Sequence, residues 1–434
     1  MTAAEKRLNA IRELLAHVRE RLGLDVGFVL WDGSVVPIDL SPNAFALVIA
    51  DEGALAALIR RPKIDTLLNI IVTARVALRN GTIFDLLAQR PRVRTKQALK
   101  ALDKKLALKT AIRFLFVPRG GPWPLEAVRG DLARRDGSEQ TNQKNIQFHY
   151  DLSNEFYALF LDPEMVYSCA YFAEPHDDIA RAQRDKLDMI CRKLRLKPDE
   201  TFLDIGCGWG ALPIHAALNY GVRANGVTLS DQQYSYAVAK VARLGLQDRV
   251  TIKLMDYSRL DGEFDKIASV GMFEHVGGRN YPQYFMTIHR LLKAQGFYLH
   301  HAIARPAKGT DREFSRNYSK EARAVARYIF PGGELDHIGM SAANLERHGF
   351  EVHDIEGWRE HYARTTRLWH DRLLASQAAA DREVGAIKTR LWLVYLAGVS
   401  IGFERGRVGI FQTLASKRRR GASGVPLSRV DLYR

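Results

Sequence analysis

Residues 202–210 read FLDIGCGWG, and ALPIHAALNY follows directly at 211–220. A short apolar run with one acid (Phe202, Leu203, Asp204, Ile205) gives way to Gly206, Gly208 and Gly210, then to a helical pattern. That order predicts a buried strand, a tight turn and a helix, the opening unit of a nucleotide-binding α/β sheet. The turn needs backbone angles that a Cβ obstructs. Bare backbone at a helix N-terminus also leaves N–H groups facing a ligand. Working outward, a helix is expected at 180–194 and strands at 223–229, 250–255, 264–270 and 296–301. Ser230 reads as the N-cap of a helix running through Ala242, a further helix covers 281–292, and another α/β stretch begins at Gly349-Phe350. The alternation predicts a mostly parallel, doubly wound sheet with helices on both faces. Ligands in such sheets sit beyond the C-terminal strand ends, where the glycine loop, Thr228, Asp256, Glu274 and His301 all fall.

The chain has 434 residues, 47% of them apolar, enough for more than one globular domain. Sixty-four Lys and Arg against 49 Asp and Glu give a formal charge of +15, which favours an anionic partner such as an acidic lipid surface. Three cysteines, Cys169, Cys191 and Cys207, lack metal-ligand spacing, so no disulfide framework and no metal are expected. The N-terminus lacks a signal-peptide core. No uninterrupted apolar run reaches the ~18 residues of a transmembrane span. These features read as a cytoplasmic protein.

Two domains are expected, over 1–135 and 145–434. The first is a small α+β unit: an amphipathic helix over 2–22, strands at 27–31, 35–38 and 44–49 with a turn at Asp32-Gly33, and helices at 53–60 and from Leu67 to the Asn80-Gly81 turn. Residues 92–135 interleave Arg92, Arg94, Lys96, Lys100, Lys104, Lys105, Lys109 and Arg113 with leucines and phenylalanines. That pattern is either a solvated helix with a core face or a helix lying on an anionic bilayer. Residues 134–144 are polar and turn-rich, the expected linker. From Asn145 aromatics crowd the chain (Phe148, Tyr150, Phe156, Tyr157, Phe160, Tyr167, Tyr171, Phe172), as core or as the lining of an apolar slot.

A dinucleotide fingerprint requires G-x-G-x-x-G and an acid about 20 residues on. Here the third glycine comes one residue early and the second strand ends in Thr228-Leu229-Ser230, without an acid. No GK[ST] follows to make a P-loop. S-adenosylmethionine suits the pattern better. A nucleic-acid methyltransferase would match the charge, but neither a Pro-Cys nor an Asn-Pro-Pro-Tyr target-base motif accompanies it. Nucleic acid is therefore not an expected partner.

The blocks HYDLSNEFYALFLDPEMVYSCAYF, LDIGCGWG, GVTLSDQQ, VGMFEHVG, LHHAI and HYARTTRLW, spread over 145–417, resemble the cyclopropane fatty acid synthase family in order and spacing. That family includes the mycolic acid cyclopropane synthases. The resemblance implies a Rossmann-like class I methyltransferase domain. It also implies S-adenosylmethionine held by Tyr167, Ser168, Asp204, the glycine loop, Thr228, Gln233, and either Asp256-Tyr257 or Tyr257-Ser258. It further implies a bicarbonate ion beside the sulfonium methyl, bound by Cys169, Glu274, His301, the Ile303 backbone and Tyr362. The substrate implied is an unsaturated phospholipid acyl chain at an anionic membrane, with the N-terminal domain docking on the membrane or pairing two copies as a homodimer. A rival within the same chemistry leaves a methyl-branched or methylene product. A third reading is a lipid carrier with an inactive enzyme domain.

The chemistry explains the grouping. An isolated double bond attacks the sulfonium methyl, and the resulting cation must lose a proton before the ring closes; a small held base does this without a charged side chain touching the lipid. Burial excludes water, and aromatic faces such as Tyr171 or Phe148 stabilise positive charge. Each residue also has a plainer reading: Glu274 bonded to backbone, Tyr362 in the core, Cys169 an inert thiol. If 296–301 is a strand, His300 and His301 point opposite ways, so one at most serves the site. The apolar stretch near the C-terminus carries Val399 where several family members have a cysteine. No cysteine is therefore nominated as a nucleophile.

Overall fold

The computed structural model describes residues 1–88, 102–127 and 152–433. The basic positions 92–100, the linker at 134–144 and the aromatics Phe148 and Tyr150 lie outside the described residues. The chain divides into two compact units, Met1–Arg129 with Ala386–Ala397, and Gly130–Gly385 with Gly398–Arg434. That a piece of the C-terminal region belongs to the first unit has no counterpart in the sequence reading. Within that unit, Arg390 Nη1 donates to the Val72 carbonyl at 3.0 Å.

The first unit opens with helix Ala3–Leu22, started by a reciprocal capping box between Thr2 and Glu5 and stopped by Gly23 in the left-handed region. Four short strands follow: β1 (Gly27–Val29), β2 (Val35–Val36), β3 (Ala46–Ile49) and β4 (Val76–Arg79), in the spatial order β2-β1-β3-β4. The β1–β2 pair is antiparallel across the Asp32-Gly33 turn, while β1 and β3 run parallel. The helix expected from Leu67 to Asn80 is instead helix Ile64–Val72 and then β4. Ala74 adopts a left-handed φ of 54°, which ends the helix. Arg75 then anchors the turn through Nε and Nη2 to the two Asp51 carboxylate oxygens, at 2.7 and 2.5 Å. Pairing of 76–79 with β3 outweighs the helical pattern.

The second unit carries seven strands: β5 (Thr201–Ile205), β6 (Arg223–Thr228), β7 (Val250–Leu254), β8 (Phe264–Val270), β9 (Leu292–Ala304), β10 (Phe350–Gly357) and β11 (Gly409–Lys417). Their order is β10-β11-β9-β8-β5-β6-β7. Strands β5 to β9 pair in parallel, while β11 runs antiparallel to both β9 and β10. Strand order reverses at β5, between β6 and β8, so a crevice opens at the C-terminal end of β5. This is the class I methyltransferase architecture, with apolar cores on both faces. The reversed strand β11 was not read from the sequence.

Among the described residues one helix, Ala386–Glu404, is long and apolar enough by length and composition to cross a membrane, with 39% of its apolar window buried. Counting only uninterrupted apolar runs missed it, because Lys388 and Arg390 break the run while leaving the mean hydropathy high. Trp392, Leu396, Ala397 and Phe403 are nevertheless buried within the protein, as a core helix requires.

Candidate active site

The glycine loop is tied down by its own backbone. The N–H groups of Gly206 and Cys207 both donate to the Val227 carbonyl, at 3.0 and 2.9 Å, fixing the end of β5 against β6. Gly206 has φ +81°, and a Cβ there would lie 2.9 Å from Met272 Cβ. Gly206 and Gly208 line one cavity together with Tyr167, Ser168, Asp204, Thr228, Gln233, Asp256 and Tyr257. Gly210 does not line it. It caps helix Ala211–Tyr220 and lies where a Cβ would come within 3.1 Å of Ala237 Cβ, so its role is close helix packing.

Each wall of that cavity has a local cause. At the end of β6, Thr228 Oγ1 donates to Gln233 Oε1 at 2.7 Å, and Ser230 caps the next helix by accepting from the Gln233 N–H. After β7, the Asp256 carboxylate accepts from the Ser258 N–H at 2.8 Å, turning Asp256 and Tyr257 into the cavity; Ser258 is not among its lining residues. The Tyr167-Ser168 loop is shaped by Asp162, which accepts from the N–H groups of Glu164 and Val166 at 2.9 Å each. The Gln183 amide holds the same loop by donating to the Ser168 carbonyl at 2.9 Å.

A buried lysine missed in the sequence joins this wall. Lys186 lines the cavity, and its Nζ donates to Ser168 Oγ at 2.9 Å. Burial lowers it to about 8, against the opposing pull of Asp162, Cys169 and Asp204. Asp204 is raised to about 7 by the same burial, with Lys186 opposing, and its Oδ1 has no partner among the described residues. Such an acid–lysine pair suits the ammonium and carboxylate ends of an amino-acid ligand. The signal was available: Lys186 sits on the buried face of helix Ile179–Leu194, among Ala182, Leu187 and Ile190.

Next to this cavity lies a second group of predicted residues. Glu274 sits in the short turn Phe273–His275 after β8. Its Oε1 accepts from the Ile303 N–H at 2.7 Å, while its Oε2 is buried with no partner among the described residues. Burial raises this carboxyl to about 7, with the Ile303 N–H opposing. His301 on β9 is fully buried, and burial, then the nearby Lys186 and Lys193, push it well below its usual range, so the ring is neutral. Its Nδ1 meets the Gln412 amide at 3.0 Å, and its Nε2 has no partner among the described residues. His300 turns the other way, toward the Tyr298 hydroxyl at 3.0 Å and the ring of Phe273. Cys169, Ile303, Tyr362 and Val399 belong to one apolar cluster around Trp358. The Cys169 thiol donates to the Ala170 carbonyl at 3.3 Å and is raised by burial, the state of an unreactive thiol. Tyr362 packs on Phe403 with ring centroids 4.6 Å apart. Tyr171 lies between Trp358 and His361, at 4.9 and 4.8 Å.

Residues 137–413 match the protein family described as mycolic acid cyclopropane synthetase. The chain belongs to that family. Similarity to a probable fatty acid methyltransferase of Pseudomonas putida, 36% identical, extends over 96% of this chain and 98% of that protein. The cyclopropane-fatty-acyl-phospholipid synthase of Escherichia coli strain K12 is 39% identical over 62% of this chain and 66% of its own length. Among solved structures, the mycolic acid cyclopropane synthase CmaA1 complexed with SAH and CTAB superposes with a TM-score of 0.59 at 34% identity. That match covers 63% of this chain and 98% of CmaA1. The protein is thus a cyclopropane synthase-like, S-adenosylmethionine-dependent methyltransferase, and the cavity at the end of β5 lies where ligands sit in such α/β folds.

Proposed function

We propose that the protein transfers a methylene group from S-adenosylmethionine to the cis double bond of an unsaturated phospholipid acyl chain, closing a cyclopropane ring. Tyr167, Ser168, Asp204, Gly206, Gly208, Thr228, Gln233, Asp256 and Tyr257 would hold the cofactor. The observation that carries the reading is two orphaned buried atoms, Glu274 Oε2 and His301 Nε2; neither residue lines that cavity, but Met272 and His275, close to Glu274 in the chain, do. Unpartnered buried polar atoms are costly unless a ligand completes them. A carboxylate oxygen and a ring N–H are complementary to bicarbonate, which both donates and accepts. Bound there, bicarbonate supplies a small base for the proton that the alkylated chain must lose. Glu274 orients it by hydrogen bonding, Tyr362 and Cys169 close the chamber, and Trp358 and Tyr171 supply aromatic walls that exclude water.

The test is lipid mass spectrometry after incubating the protein with S-adenosylmethionine, bicarbonate and vesicles of unsaturated anionic phospholipid. The expected product gains one CH₂ unit and loses one double bond, with chain fragmentation excluding an added methyl. The same gain with unsaturation retained would establish the methyl- or methylene-transferring alternative. The full-length similarity to a probable fatty acid methyltransferase keeps that alternative in view.

The first unit carries a surface that supports docking on an anionic membrane. Helix Lys104–Phe114 buries Thr110 and Phe114, yet it leaves Leu108 and Ile112 exposed, and Leu115 and Phe116 continue that apolar surface. Phe116 is 93% exposed. Lys104, Lys105 and Lys109 flank this patch and are exposed. Cations beside an apolar patch match an anionic lipid surface, at about 1 kcal/mol per lysine. Replacing the three lysines by glutamine is expected to weaken sedimentation with anionic vesicles by up to about 100-fold at low salt. Binding unchanged in this variant would place the docking surface elsewhere.

A further inference from the structure

Behind His301 runs a row of polar side chains that the reaction itself does not explain. Glu356 on β10, Gln412 on β11 and His301 on β9 occupy directly opposed register positions, so the three form one row across the sheet. Lys193, from helix Ile179–Leu194, reaches onto this row. Its Nζ bonds Glu356 Oε2 and donates to Gln412 Oε1 at 2.7 Å, and it stands 5.1 Å from the centre of the Trp358 ring. Gln412 is 1% exposed and His301 fully buried, so water does not replace these contacts.

We infer that Lys193 and Gln412 are positioning residues that lock His301 as the tautomer with its proton on Nε2, aimed at the anion site. The argument is one of donors and acceptors. An ammonium only donates, so the Gln412 atom facing it must be the oxygen. The amide NH₂ then faces His301 Nδ1 and donates to it at 3.0 Å. A nitrogen that accepts carries no proton, so the single proton of the neutral ring sits on Nε2, the buried atom without a partner. The opposite tautomer would require the amide to flip, placing NH₂ against the ammonium. Leaving those buried groups unpaired disfavours that arrangement by about tenfold to a hundredfold. His301 is therefore a neutral hydrogen-bond donor to the anion, not the base. Glu356 supports the row by pairing with the Lys193 ammonium, whose acidity burial would otherwise raise further.

This inference rests on the anion-site reading, and its test separates the two. The ring nitrogens of ¹⁵N-histidine-labelled full-length protein report the tautomer directly, with His301 assigned by its loss in His301→Phe. The expected spectrum shows a bare Nδ1 and a protonated Nε2; a protonated Nδ1 in the native protein would overturn the inference whatever the ligand. Gln412→Glu keeps the shape and the Lys193 contact but turns the atom facing Nδ1 into an acceptor. The proton is then expected to move to Nδ1, the KM for bicarbonate to rise at least about tenfold, and the KM for S-adenosylmethionine to stay unchanged. The paired variant Lys193→Met/Glu356→Gln, which leaves no isolated charge, is expected to raise the bicarbonate KM in the same direction. A switched tautomer with unaltered bicarbonate kinetics would reduce the row to a structural ladder and refute the positioning role. Native activity independent of added and depleted bicarbonate would remove the anion-site reading, and the ring spectrum would still decide the tautomer.

Discussion

Glu274→Gln is expected to lower turnover by about 10²–10³-fold while leaving S-adenosylmethionine binding intact, because it removes one preorganised partner of the reacting centre. Glutamine keeps an oxygen for the Ile303 N–H, now 2.7 Å from Glu274 Oε1, so the turn after β8 should hold its place. What changes is the second atom. The orphaned Oε2 becomes an amide NH₂, which would offer a donor where the O–H of the proposed bicarbonate needs an acceptor. Steady-state methyl transfer to vesicles and calorimetric cofactor titration separate the two effects. Turnover within threefold of native would remove Glu274 from the mechanism.

The same substitution has a signature in stability. Burial raises the Glu274 carboxyl from its usual 4.5 to about 7, so its ionised form opposes folding. The penalty is fully present above pH 7, fades as pH falls through 7 toward 4.5, and is gone below 4.5, where the carboxyl is protonated in both states. It amounts to about 3 kcal/mol. Glutamine does not titrate. The stability of Glu274→Gln relative to native should therefore improve by about that amount between pH 4.5 and pH 8, measured by urea unfolding at each pH. An unbound protein whose difference curve is flat would mean that this carboxyl is not desolvated. An enzyme that retains a destabilising buried acid next to its cofactor cavity gives up stability for a charge that can be completed only by ligand.

How much of this was visible beforehand differs from element to element. The strands β5 to β9 were legible because each couples a short apolar run to a turn or cap with its own chemistry, as at Gly206 and Ser230. Strand β11 was not legible. GIFQTLASK follows a long apolar helix and carries Gln412, Thr413 and Ser416, polar side chains that are buried here. Only its neighbours β9 and β10 make it a strand, and they lie more than fifty residues away in sequence. Strand β4 was misread as helix for the same reason, since its partner β3 and the Arg75–Asp51 pair are both non-local.

The site divides along the same line. The glycine loop, Thr228 and Asp256 come from strand ends, so the positional rule for α/β sheets placed them together, with Gly210 the exception that packs rather than lines, whereas Tyr167, Ser168 and Gln233 needed the family resemblance. The same rule put Glu274 and His301 at strand ends, but their role at an anion, and Tyr362 altogether, needed the family resemblance, because a single acid, histidine or tyrosine has no local pattern that marks its chemistry. Lys186 and Lys193 did have one: charged residues on the inward stripe of an amphipathic helix. Burying a lysine is costly without partners, so two on one apolar face indicated buried acids or acceptors opposite them. Asp204 and Gln412 prove to be among these.

Gly206→Ala should be the most damaging small substitution in the cofactor loop, and its two causes can be separated. The first is conformational: at φ +81° an alanine is strained by about 1–2 kcal/mol. The second is steric, since the new Cβ would lie 2.9 Å from Met272 Cβ and Cγ, and relieving such a clash typically costs about 1–3 kcal/mol. Displacing the loop also moves the backbone of Gly208 and the side chain of Asp204 that line the cavity. Cofactor affinity is expected to fall about tenfold to a hundredfold, the usual consequence of misplacing binding groups by around an ångström. Met272→Gly in the same chain removes both Cβ and Cγ, and with them the steric part, and leaves the conformational part. The double variant should therefore recover part of the loss in both denaturant stability and cofactor Kd, with a coupling of about 0.5–3 kcal/mol between the two sites. Strict additivity would mean that Met272 yields freely and that backbone geometry alone dictates glycine. Recovery to native values would mean that the loop tolerates an alanine at positive φ, and that the glycine serves only to let β8 and its turn approach.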